Sequence, residues 1–463
     1  MKLADKIEIK GNFRKQRNQF ISKDSNIISK RKGSIVQVKD NKVSILADVT
    51  GIDKVYFEIK NNKVRISDRF KDFLDNGLNN EFMQFQEEEG YVPYPFTILK
   101  NVRKAPPGLI TKIEVDKKGK LKIAYEQSKE LEIFNINKKF NKREFKDKLK
   151  KLFLQNFKGK SLVSSFSGGF DSLLLTEIYR KKCSHILHFK ENNEVDVDYY
   201  KKLWPKMRWT IIRENQEFSE DDKQKYFQAV DEPSCDSAGF AEYLMAKKIA
   251  EKRIAMPIMN GQGADGLFCS GRMYFRNHIS STFKYPLKNM RIDKKIKLSL
   301  IKKLNDYGIS TKQRFYQLYL ADFKFSEESI EEFEALYSSY ENSINNDSTN
   351  FYAALIVLLR YSLHGVEKIK TASRAFNAKY YLPFMSENVI QYAFSAPSKY
   401  KVNYKTGKKI LIESHPYLKK IKFISGAFLP NQLKKSFIGK SFRKNYESYF
   451  IQSWIKYNLN IKR

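Results

Sequence analysis

The chain has 463 residues, 41% of them apolar and 14% aromatic, which suits two buried cores and excludes a disordered protein. Its 86 Lys and Arg against 52 Asp and Glu give a formal charge of +34, suited to an anionic partner or to a solvated lysine-rich surface. Three cysteines without metal spacing (Cys183, Cys235, Cys269) exclude a disulfide framework and read as core filler.

No apolar run approaches the ~18 residues of a membrane span, and Met1 to Lys6 carry no signal region, so a soluble, cytoplasmic protein is expected. Residues 1–130 read as strands and turns. Residues 54–59 and 63–67 alternate around Asn61-Asn62, and 110–115 pairs with 121–125 across Lys117-Lys118-Gly119. A linker over 126–141 leads into a helix carrying Phe145, Leu149, Leu152, Phe153 and Phe157 on one stripe. Strand and helix then alternate over 161–270, the pattern of a doubly wound parallel α/β sheet. From about 280 onward the pattern is helical, and 351–359 reads as a buried helix segment. The expected domains are a β-rich one over 1–140 and an α/β one over 141–463, with its core at about 160–275.

The apolar stretch 162–165 runs into Ser167-Gly168-Gly169-Phe170-Asp171-Ser172. Two glycines let the backbone approach a phosphate closely and turn successive N–H groups into one concavity. The serines add hydroxyl donors, and a helix over 171–181 would offer its positive end to the anion. Asp171 repels a phosphate and makes sense as a Mg²⁺ ligand. The nucleotide-binding candidates are thus Ser165, Ser167, Gly168, Gly169, Asp171 and Ser172. The loop has neither the Gly-Lys-Ser/Thr of a Walker site nor Gly-x-Gly-x-x-Gly.

Downstream lie Asp231-Glu232-Pro233-Ser234-Cys235-Asp236-Ser237, a helix over 238–251, an apolar strand over 254–259, and Asn260-Gly261-Gln262-Gly263-Ala264-Asp265-Gly266-Leu267-Phe268. Gly261 and Gly263 permit a tight loop at a strand's carboxyl end, where open α/β sheets bind ligands. Asp265 would face Asp171, giving the two carboxylates that a Mg²⁺ bridging phosphates requires.

The Ser-Gly-Gly-Phe-Asp-Ser loop resembles that of the N-type ATP pyrophosphatases. The Asp-Glu-Pro and Gly-x-Gly-x-Asp-x-Leu-Phe segments resemble the synthetase domain of the asparagine synthetase B family. Upstream, Gly90 to Ile98 and Ala105-Pro106-Pro107-Gly108 resemble the end of that family's glutaminase domain. Downstream, Tyr381-Leu382-Pro383-Phe384-Met385-Ser386 resembles its Arg-x-Pro-Phe-Leu-Asp segment, and Gly407-Lys408-Lys409-Ile410-Leu411 its Lys-x-Ile-Leu segment. The resemblance implies an ATP-pyrophosphatase fold with a helical carboxyl-terminal part, preceded by a degenerate glutaminase-like domain of the Ntn-hydrolase type. It implies adenylation of a carboxylate by ATP with Mg²⁺, followed by transfer of a nitrogen to it. Lys408 matches the family lysine at the α-phosphate, with Lys409 one residue off, and Asp231 and Ser237 fall where the family closes its nucleotide pocket. Asp236 is alternatively a cap for the helix that follows.

Two departures bear on the substrate. Glutamine-dependent members expose a cysteine at position 2, whereas this chain has Lys2 and no cysteine before Cys183. Glutamine hydrolysis is therefore not expected, and nitrogen would come as ammonia, from a separate glutaminase subunit, or as an amine on the substrate, as in β-lactam synthetases and lasso-peptide cyclases. Gln262 stands where asparagine synthetases have an acid, and Lys379 where they have Gly-Leu-Glu, so Gln262 and Lys379 are candidates for handling the acceptor. The expected substrate is a small-molecule, glycan-precursor or peptide carboxylate. An ammonia-using asparagine synthetase is the alternative, and nucleic acid is the less favoured partner of the basic 401–463 segment, with 15 Lys and Arg against Glu413 and Glu447.

Overall fold

The computed structural model describes residues 7–16, 19–39, 42–115, 121–137, 140–190, 197–213, 218–236, 238–270, 274, 310–321, 323–403, 406–416 and 442–459. The amino-terminal region is a pair of sheets built from β1 (Ile7–Lys10), β2 (Arg14–Gln16), β3 (Gln19–Ser22), β5 (Ser34–Lys39), β6 (Lys42–Leu46), β7 (Tyr56–Lys60), β8 (Lys63–Ser67), β9 (Val102–Lys104), β10 (Ile110–Val115) and β11 (Leu121–Glu126), with β4 (Ile27–Ile28) set apart. One sheet runs β1-β8-β7-β9 and the other β11-β10-β6-β5-β3-β2. Alternating apolar residues of both, including Val36, Val43, Ile45, Phe57, Val64, Ile66 and Ile113, share one core.

Both expected hairpins form. The β7–β8 turn places Asn61 and Asn62 at φ 51° and 58°, the paired left-handed conformation that keeps two strands in register. Strands β10 and β11 pair antiparallel from Ile110↔Glu126 to Val115↔Leu121. The expected linker instead holds a 3₁₀ turn, Lys129–Phe134, anchored by buried Leu131 and Phe134. In the helix Phe145–Asn156, Phe145, Leu149 and Phe153 are buried.

The second core is a fully parallel six-stranded sheet, β14 (Arg208–Arg213), β13 (Cys183–Lys190), β12 (Leu162–Ser165), β15 (Ile258–Met259), β16 (Tyr380–Tyr381) and β4. The chain leaves β12 towards β13 and β14, then returns to lay β15 on the other side. The order therefore reverses between β12 and β15, which opens a crevice at their carboxyl ends. Strand β15 is shorter than the 254–259 stretch suggested, and β4 joins the sheet from the amino-terminal region.

Helices cover this sheet. Ala238–Glu251 packs against Gly365–Phe376, and Phe442–Leu459 packs against Asn80–Glu89. The apolar 351–359 stretch is buried as expected, but its helix, Ser348–Leu355, changes to a π-helical turn over Ile356–Tyr361. Phe450, Ile451 and Trp454 of the last described helix are buried, so this part of the basic segment is docked on the fold. All three cysteines are buried, with burial pushing the Cys183 and Cys269 thiols up to about 12, as suits core residues. Among the described residues no helix is long and apolar enough to cross a membrane.

Candidate active site

The Ser-Gly-Gly loop leaves β12 and enters the helix Phe170–Ile178. Gly168 takes φ +79°, which a side chain at that position would oppose. Its serines fold the turn on itself: Ser172 Oγ accepts from Ser167 N at 3.2 Å and donates to the Gly169 carbonyl at 3.0 Å, while Ser167 Oγ accepts from Gly169 N at 3.2 Å. Beneath it, the Ser164 and Thr176 hydroxyls meet at 2.7 Å in the core.

The loop after β15 packs directly against this turn. A Cβ on Gly261 would stand 3.2 Å from Asp171 Cβ, and Gly263, at φ +103°, would drive one to 2.6 Å from Met385 Sδ. The third piece is the Gly407-Lys408 turn. Lys408 N donates to the Phe268 carbonyl at 2.9 Å, and Gly407 sits so close to Cys269 that a Cβ would fall 2.4 Å from its carbonyl oxygen. These three contacts carry Lys408 Nζ between two acids, 2.5 Å from Asp171 Oδ2 and 2.5 Å from Asp265 Oδ1.

The charges explain the arrangement. Burial raises the Asp171 carboxyl and the neighbouring Asp265 raises it further, against the pull of Lys408. Burial alone would lower the Lys408 ammonium, but the two carboxylates outweigh it and its pKa rises. Asp171 Oδ1 is buried and finds no hydrogen-bond partner among the described residues. Two carboxylates already drawn around a cation, one with a spare buried oxygen, fit a Mg²⁺ that takes its other ligands from phosphates and water. Among the described residues no group of three or more His, Cys, Asp or Glu could hold a metal by itself.

A cavity of about 230 Å³ opens above these groups, lined by Ser165, Ser167, Ser172, Gly261, Gln262 and Glu242 among others. Gln262 reaches the helix Gly365–Phe376, where a Cβ on Gly365 would fall 1.9 Å from its Nε2. Its backbone N donates to Asn260 Oδ1 at 2.8 Å, and Asn260 Nδ2 donates to Glu242 Oε1 at 2.7 Å.

Two lining residues carry no motif. Glu242 is fully enclosed; burial pushes its carboxyl up to about 7, Asp236 adds to the rise, and Lys368 and Asn260 oppose it. Its Oε2 has no hydrogen-bond partner among the described residues. The one sequence signal is an acid standing alone among the apolar and small residues of 238–246. Tyr361 closes the cavity from the π-helical turn, a geometry frequent at functional sites, and Gly266 leaves room for its ring.

Two placements differ from expectation. Lys379 directly precedes β16, at the amino end of the parallel sheet, and lines a different cavity with Ile28 and Met256. It is therefore not brought to the crevice. Asp231 does not line the cavity above the glycine loops: its oxygens accept Phe70 N at 3.1 Å and Lys71 N at 3.2 Å from the amino-terminal region. Next to it, Glu232 is buried in an ion cluster with Lys104 and with Lys54, whose Nζ lies 3.1 Å away and reaches Glu367 at 3.4 Å. The Asp-Glu pair thus joins the two regions. Asp236 accepts from Ala238 N at 2.9 Å as a helix cap, and Ser237 lies outside the described residues.

The asparagine synthase family model matches residues 157–414, which carry the two glycine loops, the Asp171–Lys408–Asp265 triplet and all the helices around the cavity. No curated protein matches the chain. A match over more than half of the 463 residues, with the Ser-Gly-Gly loop at the sheet's switch point, makes this protein a member of the asparagine synthase family, the ATP-dependent ligases that form amides.

Proposed function

We propose that the protein adenylates a carboxylate with ATP and passes the acyl group to ammonia or an amine, releasing pyrophosphate and then AMP. The observation that carries this reading is the Lys408 ammonium held between Asp171 and Asp265 beside the Ser167–Ser172 turn. Loop N–H groups and the Ser167 and Ser172 hydroxyls hold the β- and γ-phosphates. Asp171 and Asp265 would hold Mg²⁺, which supplies charge neutralisation on the phosphates. A carboxylate oxygen then attacks the α-phosphorus, the bond to the bridging oxygen breaks, and pyrophosphate leaves. Lys408 offers its charge to the α-phosphate and to the oxyanion that develops when nitrogen attacks the acyl carbon. The enzyme's contribution is alignment and charge, with the reactants held at one end of a rigid sheet.

Gln262 cannot serve as a base, and its amide orients the acceptor by hydrogen bonding. Gln262 in place of the acid of asparagine synthetases favours an acceptor carboxylate other than aspartate, with ammonia-dependent asparagine synthesis as the second reading; Lys379, outside the crevice, bears on neither. Nitrogen arrives without glutamine hydrolysis on this chain.

Pyrophosphate release from MgATP, scored over a panel of carboxylates with and without ammonia, tests the proposal. Release is expected with at least one carboxylate and is expected to vanish in Asp171→Ala and Asp265→Ala. Release that survives both substitutions overturns the metal assignment, and release triggered by aspartate alone favours the second reading.

A further inference from the structure

A larger cleft, about 670 Å³, lies where the amino-terminal sandwich meets the synthetase core, and it shares no lining residue with the cavity above the glycine loops. Its walls are the 22–26 turn after β3, the 68–72 turn after β8, the end of helix Glu220–Ala229 and the last turns of helix Gly365–Phe376.

Acids and bases both line it, but they are not equally engaged. Asp53 gives both oxygens to Arg31, at 2.8 and 3.2 Å. Asp68 accepts from Asn12 N and Ser22 Oγ, each at 2.9 Å, and Asp72 is taken by Arg69 and Ser67. Asp231 caps the Phe70 turn as described, and Asp24 Oδ1 accepts from Asn26 N at 2.9 Å.

Lys54 is paired with Glu232 and Glu367, but the other four ammoniums have only neutral hydrogen-bond or ring partners among the described residues. Lys23 Nζ donates to the Arg31 carbonyl at 2.7 Å and Lys370 Nζ to the Ile52 carbonyl at 2.8 Å. Lys71 Nζ donates to the Gln228 carbonyl, and Lys225 Nζ lies 4.0 Å from the centre of the Phe376 ring. Each ammonium has three N–H donors, so these four keep most of theirs, while the carboxylates around them are committed to loop backbones and guanidiniums. Burial, with Arg374 adding to it, lowers Lys71 to about 8 against the opposing pull of Asp231 and Glu367. That is the signature of a cation short of counter-charge.

We infer that this cleft is a second binding site, separate from the ATP site, for a small anion of two or more negative charges: a phosphate ester or a di- or tricarboxylate. Lys71 and Lys370 form its floor, and Lys23 and Lys225, both exposed, form its rim. Attraction to a multiply charged ligand there is electrostatic and falls with added salt.

Isothermal titration of the full chain in EDTA with pyrophosphate, with citrate and with acetate tests this. EDTA removes metal bridging at the glycine loop, and a Ser167→Ala/Ser172→Ala variant removes phosphate binding there. Binding of pyrophosphate or citrate, but not acetate, is expected in wild type and in the loop variant. It should weaken at least tenfold in Lys71→Gln/Lys225→Gln and in Lys225→Glu, whose exposed position leaves the fold intact. Pyrophosphate binding alone identifies a phosphate ester, and citrate binding alone a polycarboxylate. No binding of either in the loop variant, or binding unchanged by both cleft variants, overturns the inference. Adenylation by the other cavity enters none of these readouts.

Discussion

Replacing Glu242 with Gln is expected to flatten the pH dependence of stability. The folded protein holds the Glu242 carboxyl at about 7 against an ordinary 4.5, because burial penalises its charged form. A raised acid binds its proton more tightly in the folded state than in the unfolded one. Its penalty is absent below 4.5, grows as pH rises through the window from 4.5 to 7, and is complete above it. A shift of about 2.5 units at 1.36 kcal/mol each makes wild type about 3 kcal/mol less stable at pH 8 than a chain lacking that titration. Glutamine keeps an acceptor for Asn260 Nδ2, so Glu242→Gln removes the charge while sparing the hydrogen bond. Urea unfolding at pH 5 and pH 8, followed by tryptophan fluorescence, reads the difference between the two proteins at each pH. Part of the penalty is already present at pH 5, so that difference should move by about 2.5 kcal/mol in favour of the variant on going to pH 8. Parallel pH profiles for the two proteins would refute the argument.

Other substitutions test other parts of the structure. Lys408→Ala removes the cation between Asp171 and Asp265 and should lower the rate of pyrophosphate release by about 10²–10³, measured at saturating MgATP. Gly263→Ala forces a left-handed residue against Met385 and should cost about 1–2 kcal/mol in backbone strain, seen as a lower urea midpoint. Glu232→Ala leaves Lys54 and Lys104 buried without their shared acid and should cost about 3–5 kcal/mol by the same assay. An unchanged midpoint in that variant would mean that water reaches the cluster.

What could be read from the sequence follows from what leaves a local signature. Asn61-Asn62 announces its turn because few residues accept left-handed geometry twice in succession, and the apolar stripe of Phe145, Leu149 and Phe153 announces a helix face. The glycine loops declare themselves because close backbone approach excludes side chains, as Gly261 against Asp171 shows. Strands β4, β15 and β16 are only two residues long, too short for any period, and exist because neighbouring strands accept them. Lys379 stands out in sequence only by a motif resemblance, whereas its distance from the crevice is decided by which end of β16 it occupies. Glu232 sits in a motif and Glu242 stands alone among apolar residues, but the sequence does not show what surrounds either; their burial depends on helices and strands far along the chain.

Tyr380 and Tyr381 face Ile27 and Ile28 across the sheet, more than three hundred residues away in the chain, so the parallel sheet has no outer strand until the amino-terminal region delivers one. The two regions are then not separable modules. A synthetase fragment lacking β4 would show the bare backbone of β16 to solvent, an open template for pairing with another chain. Such a fragment would be expected to self-associate, and closure of this long loop belongs among the late, slow events of folding.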